Sequence, residues 1–373
     1  MEAAGMTVWV DAIGNLRGFW SGISPDSPRI LIGSHLDTVP DAGTFDGILG
    51  VVLGLALVEE LDGQRLPFAI EVIGFSEEEG VRFSKPFLGS LALIGRLQGD
   101  LLRLEDARGI SLEQSIRDFG LNPANMAAAK FAPKTAAYLE LHIEQGPVLE
   151  SQHRPLGVVD AIVGQTRLLT TFTGIANHAG TTPMHLRHDA MAAAAEWIVS
   201  VERIATEQPG LVATVGKVET HPGAGNVIAG QVTATLDVRH AIDATRREAL
   251  DQMLQLARQL ANSRGVQFSS RITLDQAAVP MHATLTQALE NAARCAGVQP
   301  VRMVSGAGHD AIIVAAEIPA CLLFLRSPGG ISHHPDESVL IEDIEAALAT
   351  GLEFFKLLDA DFLSNMRQKD HHA

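Results

Sequence analysis

Thiol chemistry has almost no material in this chain. Of 373 residues only Cys295 and Cys321 are cysteine, and no Cys-x-x-Cys pair occurs. A disulfide framework and a thiolate-rich structural zinc site are thereby excluded, and both thiols read as buried side chains in a reducing compartment. Positive charge is also scarce. Against 44 Asp and Glu stand 28 Lys and Arg, a formal net charge of −16. That balance argues against nucleic acid or an anionic membrane surface as the main partner. The opening stretch "MEAAGMTVWVDAIG" has neither a basic segment nor a long apolar one, so no secretory signal is visible. The most apolar run, "GILGVVLGLALVEEL", is too short for a bilayer and ends in Glu59 and Glu60. A soluble, cytoplasmic protein is expected. Repeats, low-complexity tracts and Pro-rich linkers are missing, as are a P-loop lysine, a G-x-S-x-G elbow and an H-E-x-x-H pair. "SGAGHDA" resembles a Gly-rich phosphate turn, but no G-x-G-x-x-G follows an early strand, which removes a dinucleotide role.

What is present reads as strands alternating with helices. "RILIGSHLD" is a buried strand, Gly47 to Leu61 an apolar helix and "PFAIEVIGFS" a second buried strand. Helical segments follow around 88–97 and 111–129, then the strand "AAYLELHIEQ". This alternation predicts an α/β layer with a mostly parallel sheet. After about residue 164 the period changes. "QTRLLTTFTG", a helix in "HDAMAAAAEWIVSVERIA", the strands "LVATVGKVET" and "GQVTATLDVRH", a helix over 243–264 and "VQFSSRITL" follow in order. Strand, helix, two strands, helix, strand makes a unit of the split-βαβ, ferredoxin-like type. Helix–strand alternation then resumes, with a last helix from Glu342. The expected architecture is a larger domain over 1–164 and 280–373, interrupted by a smaller α+β domain over 165–279.

The chemistry gathers where the strands of the larger domain end. "LIGSHLDTVPDAGTFDG" offers His35, Asp37 and Asp46; "VIGFSEEEG" offers Glu77, Glu78 and Glu79. "LELHIEQG" adds His142 and Glu144, and "FLRSPGGISHHPDE" adds His333 and His334. Ligands of open α/β sheets collect at the carboxyl ends of the strands. A lone strand-end histidine or an acidic triplet is usually structural, but a solvated-turn reading does not predict four such ends. Imidazole with carboxylate suits Zn, Mn, Co or Ni, and enough ligands are present for two ions sharing a carboxylate. Two neighbouring ions can activate a water and polarise a carbonyl. The His35-x-Asp37 spacing suits a carboxylate that orients a ligating imidazole. In the inserted unit, His178, Asn226 and Arg239 supply an imidazole, an amide and a planar guanidinium. Those are donors for a carbonyl oxygen and a carboxylate.

The stretches "GSHLDTVPDAGTFDG", "EEEGVRF", "HIEQGP", "NHAGTTPM", "GAGNVI", "DVRH", "SGAGHDA" and "GGISHHPDE", in order from about residue 30 to 345, resemble the hydantoinase/carbamoylase amidases. That family includes N-carbamoyl-L-amino acid hydrolases, allantoate amidohydrolases and yeast-type β-ureidopropionases, within the clan of two-metal aminoacylases and carboxypeptidases. The resemblance implies His35 and His142 as ligands of one metal, Glu79 and His333 of the other, and Asp46 as the bridge. Glu78 matches the general base, Asp37 the partner of His35, and Gln145, His178, Asn226 and Arg239 the substrate-binding positions. It implies hydrolysis of a small ureido acid, releasing ammonia and CO2 through a water held by both ions, and a homodimer formed through the inserted lid domain. His334 stands where many relatives carry Asn, and Ala229 where a Pro is common. Relatives usually begin a few dozen residues earlier, and "MEAAGM" looks like the tail of such a helix. A two-metal aminoacylase or peptidase, and a catalytically silent binding protein, are the competing readings.

Overall fold

Runs of Ile, Val and Leu with few polar interruptions suit strands covered on both faces, and they form the centre of the first unit. The computed structural model describes residues 1–359 and 362–363. It separates into two units, Met1–Asp160 with the chain from Met281 onwards, and Ala161–Pro280. In chain order the first contains β1 (Thr7–Val10), β2 (Leu16–Trp20), β3 (Arg29–His35), α1 (Ile48–Glu60), β4 (Ala69–Phe75), α2 (Leu88–Leu93) and α3 (Leu112–Asp118). β5 (Thr135–Ile143), α4 (Val148–Ser151) and β6 (Leu156–Ile162) follow, β6 running across the boundary. The second unit holds β7 (Gly164–Thr173), α5 (Ala190–Glu207), β8 (Val212–Thr214), β9 (Val218–His221), β10 (Gln231–His240), α6 (Asp243–Ser263), β11 (Gln267–Gln276) and β12 (Val279–Pro280). The first unit resumes with α7 (Ala283–Cys295), β13 (Val301–Ser305), α8 (Ala311–Val314), β14 (Ala320–Leu325) and α9 (Ile341–Leu357).

The first unit's sheet runs β1-β2-β4-β3-β5-β14-β6, with β13 also on β6. Its four central strands, β4-β3-β5-β14, are mutually parallel. The flanking pairs are antiparallel. Alternation along each strand separates two faces. Ile30, Ile32, Leu139, Leu141, Leu323 and Leu325 join the core formed with Leu53 and Leu57 of α1, Leu285 and Leu289 of α7, and Phe354 and Phe355 of α9. The intervening positions, among them His35, Tyr138, Glu140 and His142, therefore leave the sheet on the opposite face.

The second unit is an antiparallel sheet, β11-β7-β10-β8, with β9 also on β10. Trp197 of α5 and Met253 and Ala257 of α6 pack on Phe172, Val232 and Leu236. That leaves the other positions of β10 half-buried or exposed, as its alternating pattern requires.

Several sequence expectations are corrected. The segment 88–97 is helical only to Leu93, with Gly95 in a left-handed conformation (φ 77°) just beyond. The segment 111–129 is α3 followed by a 3-10 turn over Pro123–Ala129, divided at Gly120 (φ 90°). "LVATVGKVET" is two short strands, β8 and β9, both paired with β10. The hairpin of β1 with β2, and the strand β6, are additional to the elements expected from the sequence. Cys295 is exposed rather than buried, at the end of α7, while Cys321 is buried.

One close approach holds α1 against the sheet. A Cβ on Gly50 would lie 2.0 Å from the Leu141 carbonyl oxygen and 2.8 Å from Ser34 Cβ. Gly50→Ala is expected to push the helix off β3 and β5 at a cost of about 1–3 kcal/mol. Thermal unfolding should show a lower midpoint, and an unchanged midpoint would contradict this packing.

Candidate metal centre

The sheet order sets four strand ends side by side, because β4, β3, β5 and β14 are neighbours pointing the same way. His35 closes β3, and His142 lies at the end of β5. Their Nε2 atoms face each other at 3.2 Å, both side chains buried. Each Nδ1 lies against a backbone carbonyl, Asp37 O at 2.7 Å and Ile143 O at 2.9 Å. A carbonyl only accepts, so each Nδ1 carries the proton and each Nε2 presents a lone pair. Asp46 Oδ1 lies 3.9 and 3.4 Å from the same two nitrogens. Three lone-pair bearers thus converge, each with an atom within 4.8 Å of the others. Such a donor set fits a divalent cation, and the carbonyl contacts hold both rings in the required tautomer.

Asp46 also faces a second group. Its Oδ2 is 3.1 Å from His333 Nε2, which is 3.7 Å from Glu79 Oε1. Asp46, Glu79 and His333 form another triple with atoms within 4.8 Å, and His35, Glu78 and Glu79 a third. Glu79 Oε1 is buried without a hydrogen-bond partner among the described residues. A buried carboxylate oxygen left so is costly unless a cation or proton meets it. The loop bringing Asp46 in depends on Gly47, whose φ is 70° and whose Cβ would lie 2.2 Å from His35 Nδ1.

The EEE run turns sharply. Glu77 is left-handed (φ 55°), and Asp37 receives the backbone N–H of Glu78 at 3.0 Å and of Glu79 at 3.1 Å on its two oxygens. This changes the expectation for Asp37. Its carbonyl, not its carboxylate, holds His35, and the carboxylate instead fixes the turn carrying Glu78 and Glu79. Gln145, also left-handed (φ 59°), has Nε2 3.0 Å from Asp46 Oδ1 and 3.3 Å from His333 Nε2.

Two strand-end candidates lie elsewhere. Glu144 accepts the N–H groups of Val148 and Leu149 and so caps α4. His334 is 59% exposed and accepts the Asp336 N–H, while His333 is the one in the cluster. In the second unit, His178 and Asn226 lie on adjacent loops, joined by a bridge at His178–Val227 and by Ala179 N donating to Asn226 O at 2.9 Å. Arg239 grips Asp237 through both carboxylate oxygens at 3.0 and 2.8 Å.

Sequence reasoning passed over a buried layer beside these groups. Glu140, two positions before His142 and so on the same strand face, accepts the N–H of Ala311 at 2.8 Å. Asp310 is fully buried, and His309 packs edge-on against His142 with centroids 4.5 Å apart. The i, i+2 spacing of Glu140 and His142 could have signalled the first. His309 and Asp310 were hidden in what read as a phosphate turn.

Burial and like charge dominate the electrostatics. Burial, then Asp310, Glu79, Glu140 and Asp37, drive the Glu78 carboxyl well above the usual range. Burial also pushes Glu79 up, partly offset by His35. Asp46 goes the other way. Burial opposes it, but the His333 hydrogen bond and the fields of His142 and His35 hold its carboxyl well below normal. Burial lowers His142 to about 4. The His142 imidazole therefore stays neutral, as cation binding needs.

The chain matches peptidase family M20/M25/M40 over residues 31–357. It is 40% identical to allantoate deiminase 1 of Glycine max over 392 residues, covering 96% of this chain and 81% of that protein. It is also 40% identical to the N-carbamoyl-L-amino acid amidohydrolase of Geobacillus stearothermophilus over 346 residues, covering 92% and 85%. A solved hydantoinase/carbamoylase family amidase from Burkholderia ambifaria superposes with a TM-score of 0.90 at 36% identity, covering 95% of this chain and 86% of the other.

Asp310 supplies a pH test. Burial pushes its carboxyl from 3.8 to about 7. Between those values the folded protein keeps a proton that the unfolded chain has released, so this group lowers stability as pH rises from about 4 to 7. Asp310→Asn removes that slope. In urea unfolding of the metal-free protein across this window, the variant should gain on wild type with rising pH, by at most about 4 kcal/mol. A difference that stays constant with pH would contradict the assignment.

Proposed function

Because this chain belongs to peptidase family M20/M25/M40 and, within it, to the hydantoinase/carbamoylase amidases, we propose that it is a metal-dependent amidohydrolase cleaving the ureido C–N bond of an N-carbamoyl amino acid or related ureido acid. R–NH–CO–NH2 and water yield R–NH2, CO2 and NH3. The observation that carries the reading is the meeting of the His35, His142 and Asp46 lone pairs next to Glu78 and Glu79.

A urea carbonyl is a poor electrophile because two nitrogens donate into it. Divalent ions held by these donors would supply the missing activation, since bound ions can polarise a carbonyl and acidify a water. His35, His142 and Asp46 would hold one ion, and Asp46, Glu79 and His333 a second. Zn, Mn, Co and Ni all suit these donors, and availability decides among them. Glu78 takes the proton of the attacking water and returns it to the departing nitrogen. Its burial beside other carboxylates supports this role, since it favours the protonated form needed for the second half. Asp37 positions Glu78 through the backbone. We assign Arg239 to the substrate carboxylate, His178 and Asn226 to the carbonyl oxygen, and Gln145 to substrate binding.

Homodimerisation through the second unit belongs to the same reading. It is supported by β11, an edge strand paired only with β7 among the described residues and exposed along most of its length.

Glu78→Gln should retain its metal while turnover falls by at least about 100-fold, the usual scale for a general acid–base. Metal analysis beside ammonia release checks both, and near-normal turnover with normal metal content would sink the role. Supplied with Mn, Zn, Co or Ni, the wild-type protein should release ammonia from ureido acids and leave N-acyl amino acids intact. The reverse preference would identify an aminoacylase instead.

A further inference from the structure

One buried carboxylate joins the two loops that carry Asp46 and His333. Glu337 is 5% exposed. Its Oε1 accepts the backbone N–H of Phe45 at 3.1 Å and of Asp46 at 2.9 Å. Its Oε2 accepts the hydroxyl of Ser332, the residue before His333, at 3.1 Å. The N–H of Glu337 donates to His334 O at 3.0 Å, closing a turn directly after His333. The opposite loop is shaped around the carboxylate, since a Cβ on Gly43 would lie 2.3–2.7 Å from Glu337 Cβ, Oε1 and Cδ.

The two proposed ion positions differ in what fixes them. His35 and His142 stand on adjacent parallel strands, so the β3–β5 ladder sets their separation. His333 lies on irregular chain between β14 and α9, left-handed (φ 55°) and with its side chain 46% exposed. Asp46 closes the loop before α1. Backbone pairing does not tie these two together. The bonds of Glu337 do, reaching Asp46 directly and His333 through its neighbour.

We propose that Glu337 is a positioning residue for the metal centre, holding the Asp46 and His333 loops in register and so setting affinity at the Asp46–Glu79–His333 position selectively. The inference rests on the two-ion reading above. Removing partners that orient metal ligands typically costs about 10–100-fold in affinity. Its effect here comes from hydrogen-bond acceptance rather than charge. A glutamine can keep its carbonyl oxygen on the two backbone donors and turn its amide towards the Ser332 hydroxyl, which can also accept.

Mn2+ titrated into the metal-free full-length protein, followed by calorimetry and by the loss of the free-ion electron paramagnetic resonance signal, tests this without turnover. Wild type should take up two equivalents. Glu337→Ala should bind one equivalent within about threefold of wild type and the other about 10–100-fold more weakly. Glu337→Gln should restore both to within about threefold, and Ser332→Ala, which removes one bond, should weaken the same single equivalent by a smaller factor. Should Glu337→Ala fail to fold, Ser332→Ala and Glu337→Gln still decide the matter. Equal weakening of both equivalents, no weakening of either, or a glutamine variant as impaired as alanine overturns the proposal while leaving two ions in place. A single equivalent in wild type overturns the two-ion reading, and this inference with it.

Discussion

Two imidazole nitrogens that both carry lone pairs, 3.2 Å apart inside a protein, are the constraint on which the rest of the site turns. Left alone they repel. Neither ring can relieve this by moving its proton, because the carbonyls of Asp37 and Ile143 hold the Nδ1 protons in place. Gly47 lies so close to the His35 ring that no side chain fits there. The fold therefore holds a geometry that only an electrophile between the nitrogens satisfies. Asp46, kept ionised by the surrounding imidazoles, supplies the negative charge that makes a cation welcome there.

Around that point the carboxylates sort by environment. Asp46 sits among imidazoles and remains an anion. Glu78 sits among carboxylates and favours a proton. Groups of one chemistry with ionisation pushed in opposite directions are the usual mark of a division between binding charge and moving protons. Asp37 gives the division its mechanical basis. By gripping the N–H groups of Glu78 and Glu79 together, it holds one glutamate at the cluster of His333 and the other among the buried acids. Glu77 absorbs the turn in its left-handed backbone, which explains three consecutive acids without three catalytic roles.

The four strand ends were legible because parallel order sends them to one edge, and each bore His or acid just past an apolar run. Backbone direction after the strand was not legible. Glu144 looked like a ligand beside His142 but turns to cap α4. His35-x-Asp37 suggested an imidazole–carboxylate bond, whereas the chain reverses so that a carbonyl fills that place. The inserted unit's alternation could be read from period alone, yet "LVATVGKVET" concealed a break between β8 and β9. Buried partners such as Asp310 and Glu337 left no periodic trace. Glu337 meets Asp46 from 291 positions away, and only the folded chain brings such pairs together.

Rigid and adjustable parts of the centre are thus built differently, and the chemistry gives a reason. A ureido carbonyl resists attack, so the reacting water and proton carrier need fixed positions, and strands fix positions better than loops. His35 and His142 are ladder residues, and Glu78 is locked one turn beyond a strand. His333, by contrast, stands on irregular chain beyond the ladder, its side chain 46% exposed. Asp46 belongs to both sets, facing the ladder pair through one oxygen and His333 through the other.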